Sequence, residues 1–409
     1  MAKYRKQLGV GGLKISALEK RYVMQALDSN RLSYGPFSRR FESQFAKLHG
    51  VSHAVLSNSG TSSLQVALAA LKEKYGWQDG DEVLVPAITF IATSNIVLML
   101  NLKPVFVDVD RRTYNIDPSL IESRITAKTR AIIPVHMFGL PADMNAIKKI
   151  SKEYDLKIIE DSCETMFAKV DGSPVGSHGD IACFSTYVAH FLVTGVGGLS
   201  VTSDPELAVI MRSLVNHGRD GIYLSIDDDK AKHGKELEMI VERRFQFIRL
   251  GYSYRVTELE AALGYAQLEQ KDKIIKARRD NARYLIKALK HLEDIGKIQL
   301  PYIPSYAEHA FMLFPIVVTD NRIRREDLVL FLEENMIETR PMMPLINQPY
   351  YKKIFGDIEE QYPVACWINN NGFYIGCHQE FGEKELDYII QVFNSFDGWP
   401  QSSGRDRKT

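Results

Sequence analysis

Residues 53–63 have the sequence HAVLSNSGTSS, a short apolar run followed by small polar residues and then by an apolar helical pattern over residues 62–75. An apolar run without a polar face is typical of a strand that is covered on both sides of its sheet. The small residues allow close approach of an anion, and the free N–H groups of a helix N-terminus favour a phosphate there. The alternative is an ordinary helix capped by Ser or Thr. The stretch therefore predicts a strand, a turn and a helix, and the turn is either a phosphate-binding site or an ordinary helix cap.

The same alternation extends outward from this unit along the next 150 residues. Further buried strands are predicted at residues 82–86, 104–109, 131–135, 157–160, 181–184 and 198–202, and helices at residues 93–100, 118–123 and 144–154. Alternating strands and helices predict an α/β fold with a large, mainly parallel sheet. Such sheets bind ligands at the carboxyl ends of their strands, beside helix N-termini.

The pattern of predicted secondary structure changes after residue 255. A helix-rich stretch at residues 257–291 is followed by a region with fewer strands. The Lys and Arg residues at 270–283 are interpreted as a solvated helix face. We divide the chain into an N-terminal arm (residues 1–20), a large domain (21–268), a smaller C-terminal α/β domain (269–396) and a disordered tail (397–409).

The composition is that of an ordinary soluble protein and gives no reason to expect nucleic acid or a membrane as partner. Of 409 residues, 45% are hydrophobic, and 51 Lys and Arg balance 51 Asp and Glu. Balanced charge does not favour a polyanionic partner. The four cysteines form no CxxC pair, which argues against a disulfide framework, and no signal peptide is evident. We therefore expect a cytoplasmic protein, and no metal-ligand spacing is visible.

The segment IIEDSCE at residues 158–164 places Asp161 at the end of a predicted buried strand. A lone carboxylate in such a position is costly unless it has a partner. A pyridinium N–H would be such a partner, and an acid on that nitrogen makes the ring an electron sink. A helix cap or a structural ion pair is the alternative interpretation of Asp161.

The third motif is CFSTYVAHFLVTGVGG at residues 183–198. Ser185 is placed to hydrogen-bond a phosphate, and the glycines at its end predict a tight loop with close backbone approach. Taken alone, His190 in this loop would more often be a structural histidine than a catalyst.

Taken in order, these motifs resemble those of the DegT/DnrJ/EryC1/StrS nucleotide-sugar aminotransferases from about residue 10 to 395. The resemblance also includes the segments PAITFIAT at 86–93, PVHMFGLPAD at 134–143, NHGRD at 216–220 and GYSYR at 251–255. It implies an aspartate-aminotransferase-like fold of type I, with pyridoxal 5′-phosphate (PLP) or pyridoxamine 5′-phosphate (PMP) as cofactor. It also implies a homodimer with shared active sites and a nucleotide-diphosphate sugar as substrate.

The resemblance implies roles for individual residues of this chain. It implies that Gly60, Thr61 and Ser185 bind the cofactor phosphate, and that Phe90, Asp161 and Glu164 lie at the cofactor ring. An acid at Glu164, near the ring hydroxyl, resembles the dehydratase branch of the family. Ser253 occupies the position of an Asn that reaches the phosphate of the other subunit, and this departure weakens its assignment.

The decisive departure from the aminotransferases is His190, which follows Ser185 where the family has the Schiff-base lysine. An imidazole cannot form a Schiff base with PLP, so the cofactor is expected to be held non-covalently as PMP. With an ordinary pKa near 6.5, His190 is a competent general base. The resemblance is then to the PMP-dependent 4-keto-6-deoxyhexose 3-dehydratases, and implies a 3-deoxygenation with His190 as base.

The sequence supports three further expectations. The cysteines are too scattered for an iron–sulfur cluster, so we expect the cluster-free type, with L-glutamate as amine donor. Arg219 and Arg340 are candidates for the substrate anions, or are interface arginines. Because residues 337–344 look more like those of perosamine-type enzymes, two alternatives stay open: a 4-aminotransferase working without the lysine, and a catalytically silent B6- or sugar-binding relative.

Overall fold

The computed structural model of the chain describes residue 4, residues 6–221 and residues 228–399. The predicted disordered tail therefore lies outside the described residues from residue 400 onward. The helices are α1 (Ala17–Asp28), α2 (Pro36–Leu48), α3 (Gly60–Tyr75), α4 (Ala92–Met99), α5 (Met144–Glu153), α6 (Pro205–Val215), α7 (Gly234–Arg243), α8 (Glu258–Leu268), α9 (Lys271–Asp294), α10 (Arg325–Glu334), α11 (Pro349–Phe355), α12 (Pro363–Asn371) and α13 (Glu383–Asn394). The strands are β1 (His53–Ser57), β2 (Glu82–Pro86), β3 (Lys103–Val107), β4 (Thr129–Ile132), β5 (Lys157–Asp161), β6 (Lys169–Val170), β7 (Ser173–Pro174), β8 (Ile181–Ser185), β9 (Gly198–Thr202), β10 (Ile298–Gln299), β11 (Ala307–Glu308), β12 (Phe314–Val318), β13 (Arg340–Pro341) and β14 (Gly372–Ile375).

The large sheet has seven strands in the order β1-β9-β8-β5-β4-β2-β3. Strand β9 is antiparallel to both of its neighbours, and the remaining neighbouring pairs are parallel. Strands β2, β8 and β9 are buried along their whole length, which explains their continuous apolar runs. The predicted α/β fold with a mainly parallel sheet is confirmed.

Local signals fix where the elements of this sheet begin and end. Ser59 caps α3 by accepting a hydrogen bond from the Ser62 amide, and Gly76 ends that helix in the left-handed conformation. The stretch predicted as one helix-rich unit at 257–291 divides into α8 and α9, and α8 begins with a capping box of Thr257 and Glu260. The predicted helix at 118–123 is instead two short 3₁₀ turns.

A second, four-stranded antiparallel sheet has the order β10-β12-β14-β13. Its core includes Leu285, Phe314, Ile316 and Ile389, supplied by α9, β12 and α13. The N-terminal segment joins this part of the molecule, because the Leu8 amide donates to the Met336 carbonyl at 2.7 Å. The division of the chain at residue 268 stays a prediction.

In the part of the chain that the structure describes, no helix combines the length and the hydropathy that crossing a bilayer requires.

Candidate active site

Asp161 lies at the carboxyl end of β5, in the middle of the large sheet, and is buried. Its Oδ2 accepts a hydrogen bond of 2.7 Å from the Thr93 hydroxyl, and its Oδ1 accepts one of 3.1 Å from the Cys163 amide. Burial raises the pKa of the Asp161 carboxyl, although both hydrogen bonds oppose that shift. These partners are uncharged, so a cationic N–H donor would stabilise the carboxylate further.

The start of α3 forms a narrow cradle against the end of β8. A Cβ atom at Gly60 would lie 2.8 Å from the Cβ of Ser185 and 2.9 Å from the Sγ of Cys163, so only glycine fits there. The first intrahelical hydrogen bond runs from the Ser63 amide to the Ser59 carbonyl, which leaves the amides of Gly60 and Thr61 before it. Amides of this kind beside a serine hydroxyl suit a phosphate group.

Phe90 follows β2 and exposes 58% of its surface. The Thr93 amide donates to the Phe90 carbonyl at 3.2 Å, and the Thr93 hydroxyl is the donor to Asp161. The structure thus connects Phe90 to the Asp161 carboxylate through one turn of chain. Sequence reasoning did not single out Thr93, whose signal is only its position three residues after the aromatic.

Glu164 directly follows Cys163 and is buried, and its Oε2 accepts a hydrogen bond of 2.8 Å from the Phe138 amide. Burial raises the pKa of Glu164 to about 7, the Phe138 amide opposes that shift, and the neighbouring Asp161 adds to it. A carboxyl group with this pKa exchanges protons at neutral pH.

His190 lies half-buried in the loop between β8 and β9, with its amide bonded to the Tyr187 carbonyl at 2.9 Å. Burial, helped by the Arg278 guanidinium, lowers the pKa of His190 from 6.5 to about 3. The imidazole is therefore neutral at physiological pH. Among the described residues its buried Nδ1 atom has no hydrogen-bond partner.

Arg278 corrects the interpretation of residues 270–283 as a wholly solvated face. Its side chain is fully buried, and it donates to the Met312 carbonyl at 2.7 Å and to the His190 carbonyl at 3.4 Å. The helical spacing carried this signal, since Arg278 lies three residues after Ile275 and four before Ala282, both buried.

Arg340 lies at the edge of the second sheet, paired in register with Tyr374. Burial raises the pKa of the Tyr374 hydroxyl, Glu164 adds to this, and Arg340 opposes it. Tyr374 therefore lies within electrostatic range of both Glu164 and Arg340. The Arg340 guanidinium itself bonds to Glu338 and to the Thr339 carbonyl.

Arg219 and Ser253 lie elsewhere, in a cavity of about 780 Å³ whose lining includes neither Asp161 nor His190. Ser253 is exposed and accepts a hydrogen bond of 3.3 Å from Arg255. The Arg219 guanidinium lies 5.3 Å from the centre of the Phe245 ring. The structure thus separates these two predicted residues from the group around Asp161.

The residues that converge at the strand ends fit a B6 cofactor. The glycine cradle at Gly60, with Ser185 beside it, suits the phosphate, and the buried Asp161 suits a protonated ring nitrogen. Among the described residues, no group of three or more His, Cys, Asp or Glu side chains is arranged to hold a metal ion.

Comparison with known proteins identifies the family. A model of the DegT/DnrJ/EryC1/StrS aminotransferase family matches residues 14–394. The GDP-perosamine synthase of Caulobacter vibrioides is 32% identical over 391 residues, covering 95% of this chain and 98% of that protein. The GDP-4-keto-6-deoxy-D-mannose 3-dehydratase of Escherichia coli O55:H7 is 30% identical over 380 residues, covering 92% of this chain and 96% of that protein.

A solved structure is also similar over nearly the whole chain. GDP-4-keto-6-deoxymannose-3-dehydratase with a trapped PLP–glutamate geminal diamine has a TM-score of 0.84 at 28% identity, covering 94% of this chain and 99% of that one. These matches confirm the predicted fold type, the B6 cofactor class and an enzyme that is a sugar dehydratase or aminotransferase. The chain belongs to the DegT/DnrJ/EryC1/StrS aminotransferase family.

Proposed function

We propose that the protein is a PMP-dependent 3-dehydratase of a nucleotide-linked 4-keto-6-deoxyhexose. The observation that carries the proposal is His190, a neutral imidazole at the position of the family's Schiff-base lysine. Histidine cannot hold the cofactor covalently, which favours a non-covalently bound amine form. Similarity to a dehydratase over 92% of the chain supports the same assignment.

Bound PMP would supply the amine that condenses with the sugar ketone and the ring that takes up electrons. Gly60, Thr61 and Ser185 would bind its phosphate, and Phe90 would stack on its ring. Asp161 would keep the ring nitrogen protonated, since a buried carboxylate favours a cationic partner.

His190 would accept the proton from the C4′ carbon of the cofactor, because its imidazole is unprotonated at neutral pH. Glu164, with a pKa of about 7, would hold or release a proton near the ring hydroxyl. Arg340, near Tyr374, would bind a substrate anion.

The proposal includes a homodimer with shared sites. Ser253 and Arg219 line a cavity apart from Asp161 and His190. In a homodimer, Ser253 would bind the cofactor phosphate of the second subunit, and Arg219 would bind the nucleotide-diphosphate sugar there. L-glutamate would be the amine donor that restores PMP. Over the whole cycle the sugar loses its C3 oxygen, and glutamate becomes 2-oxoglutarate and ammonia.

A second candidate is a 4-aminotransferase that works without the lysine. The observation in its favour is 32% identity to a GDP-perosamine synthase over 95% of the chain. In that reaction the keto oxygen is replaced by an amino group, and no free ammonia appears.

Mass spectrometry of the product tests the proposal. The protein is incubated with PMP, L-glutamate and a panel of nucleotide-linked 4-keto-6-deoxyhexoses. Loss of one oxygen from the sugar with release of ammonia is expected. An amino sugar in place of that product would replace the proposal by the second candidate. No reaction with any sugar, together with absence of PMP binding, would indicate a catalytically silent relative.

A further inference from the structure

Arg278 on α9 is a fully buried arginine in direct contact with the loop that carries His190. Its two terminal nitrogens donate to the Met312 carbonyl at 2.7 Å and to the His190 carbonyl at 3.4 Å. Its guanidinium carbon lies 4.9 Å from the centre of the Phe191 ring, the residue that follows His190. One side chain therefore holds two consecutive residues of this loop.

The burial of this charge is energetically expensive, which argues for a specific purpose. Burial lowers the pKa of Arg278 to about 10, so the guanidinium still carries its charge at neutral pH. Among the residues that the structure describes, Arg278 forms no ion pair with a carboxylate. A buried charge without a counter-ion costs several kcal/mol in general, and a fold that needed only packing would favour an apolar residue here.

Arg278 also connects His190 to the second titratable group of the site. Beyond the bond from Arg278 to Met312, the Met312 amide donates to the Phe138 carbonyl at 3.0 Å. The Phe138 amide in turn donates to Glu164 at 2.8 Å. A continuous path of hydrogen bonds and backbone thus runs from the His190 loop through one guanidinium to the Glu164 carboxyl.

We propose that Arg278 is a positioning residue for His190: it fixes the backbone of the His190 loop and keeps a positive charge beside the imidazole. This inference rests on the proposed role of His190 as base. The charge disfavours the protonated imidazole, so His190 stays unprotonated at neutral pH and readily returns a proton that it has accepted.

Other titratable groups lie near His190 or Arg278. Tyr187 lies with its ring centre 6.3 Å from that of His190. Cys377 and His378 also interact electrostatically with Arg278, and burial together with Arg278 lowers the pKa of His378 to about 3. Among these groups Arg278 has the only fixed charge at neutral pH.

The test is an NMR titration of the intact protein with ¹³C-labelled histidine, in which the His190 signal is identified by its loss in His190→Asn. In the wild type, His190 is expected not to titrate between pH 5 and 8. In Arg278→Gln its pKa is expected to rise by about one pH unit or more, as for removal of a nearby like charge. In Arg278→Lys, which restores the charge, it is expected to stay near the wild-type value.

Arg279→Gln is the matched control, because the neighbouring Arg279 also donates to a backbone carbonyl, that of His309, at 2.9 Å. It is expected to leave the His190 titration unchanged. Equal titration curves for Arg278→Gln and Arg279→Gln would overturn the inference. If Arg278→Gln does not fold, the His190 titration of the wild-type protein is the test. A His190 pKa near 6.5 in the wild type would also overturn the inference.

The NMR result is independent of the product formed, so it separates this inference from the proposed function. A shifted His190 pKa in Arg278→Gln, with an amino sugar as product, would retain the positioning role and reject the dehydratase. A dehydrated product, together with an unshifted His190 pKa in Arg278→Gln, would retain the dehydratase and reject the positioning role. In kinetics, Arg278→Gln is expected to lower kcat more than it raises KM.

Discussion

In the proposed reaction His190 is the base, and its environment is unusual for that role. Its loop holds the imidazole half-buried, and the buried Nδ1 atom has no partner among the described residues. Because burial and Arg278 lower its pKa to about 3, protonation does not remove the base anywhere between pH 5 and 8. The carboxyl group of Glu164, with a pKa of about 7, does change charge in that range.

His190→Asn is expected to lower kcat by about 10²–10⁴-fold, the usual contribution of a general base. PMP binding, measured by equilibrium dialysis, is expected to persist, since the phosphate cradle at Gly60 and Ser185 is untouched. His53→Asn, at the opposite end of β1 from that cradle, serves as the control. Unchanged turnover in His190→Asn would remove the base assignment.

At the scale of elements, the site arises because parallel strands end at one edge of the sheet. Strands β1, β5 and β8 end at Ser57, Asp161 and Ser185, and the residues that follow them converge. The start of α3 lies against β8 so closely that a side chain at Gly60 has no room.

Gly60→Ala is expected to weaken PMP binding at least about tenfold, because the added Cβ would contact both Ser185 and Cys163 below 3.0 Å and displace them. Fluorescence titration of the cofactor measures the effect. Gly76→Ala, at the other end of α3, is the control: its Cβ meets nothing within 4 Å, although its φ of +65° costs about 1 kcal/mol of stability. Equal binding by the two variants would contradict the cradle.

A buried carboxylate of α8 anchors a second helix. Glu258 accepts hydrogen bonds from the amides of Gly35, Phe37 and Ser38 at 2.6, 2.8 and 2.9 Å, so it caps the N-terminus of α2, which lacks a side-chain cap of its own. Glu258→Gln is expected to lower the free energy of unfolding by about 1–3 kcal/mol in urea titrations. Glu260→Gln, which removes a more exposed cap on the same helix, should cost less. The opposite order would refute the capping role.

At the scale of the whole molecule, several buried or half-buried histidines are held in the neutral form. Burial lowers the pKa of His49 to about 4, and burial lowers those of His190, His309 and His378 to about 3. In the unfolded chain each would titrate near 6.5. As the pH falls below 6.5, the unfolded chain binds protons first, so the stability these residues provide is complete above pH 6.5 and is lost toward pH 4. Glu164 has the opposite effect on stability. Because its pKa is raised in the folded protein, its contribution to the free energy of unfolding increases as the pH falls from 7 to 4.5.

The free energy of unfolding is therefore expected to fall between pH 6.5 and pH 4.5, by up to about 1.4 kcal/mol per pH unit for each such histidine. Urea titrations at several pH values measure this slope. His49→Gln is expected to reduce the slope by about one histidine's share, since its ring lies among Phe45, Phe167 and Phe184. A variant with the same slope as the wild type would disprove the contribution of His49.

The sequence by itself determined the fold and the group around Asp161. Continuous apolar runs and the residues directly after them depend on local order along the chain, and β2 and β9 begin and end where the pattern predicts. Gly60, Phe90, Asp161 and Ser185 lie at or just after the carboxyl ends of strands that end at one edge of the sheet, so the sheet topology brings them together.

Only the tertiary structure decided what the buried charged side chains contact. The spacing from Ile275 and Ala282 places Arg278 on the inner face of α9, but the packing of α9 against the His190 loop decides which groups its guanidinium meets. The same applies to Arg219 and Ser253, which lie in a cavity apart from His190. Such contacts join residues about 90 positions apart, as between Arg278 and His190, and they depend on the packing of whole elements, which a local sequence pattern does not specify.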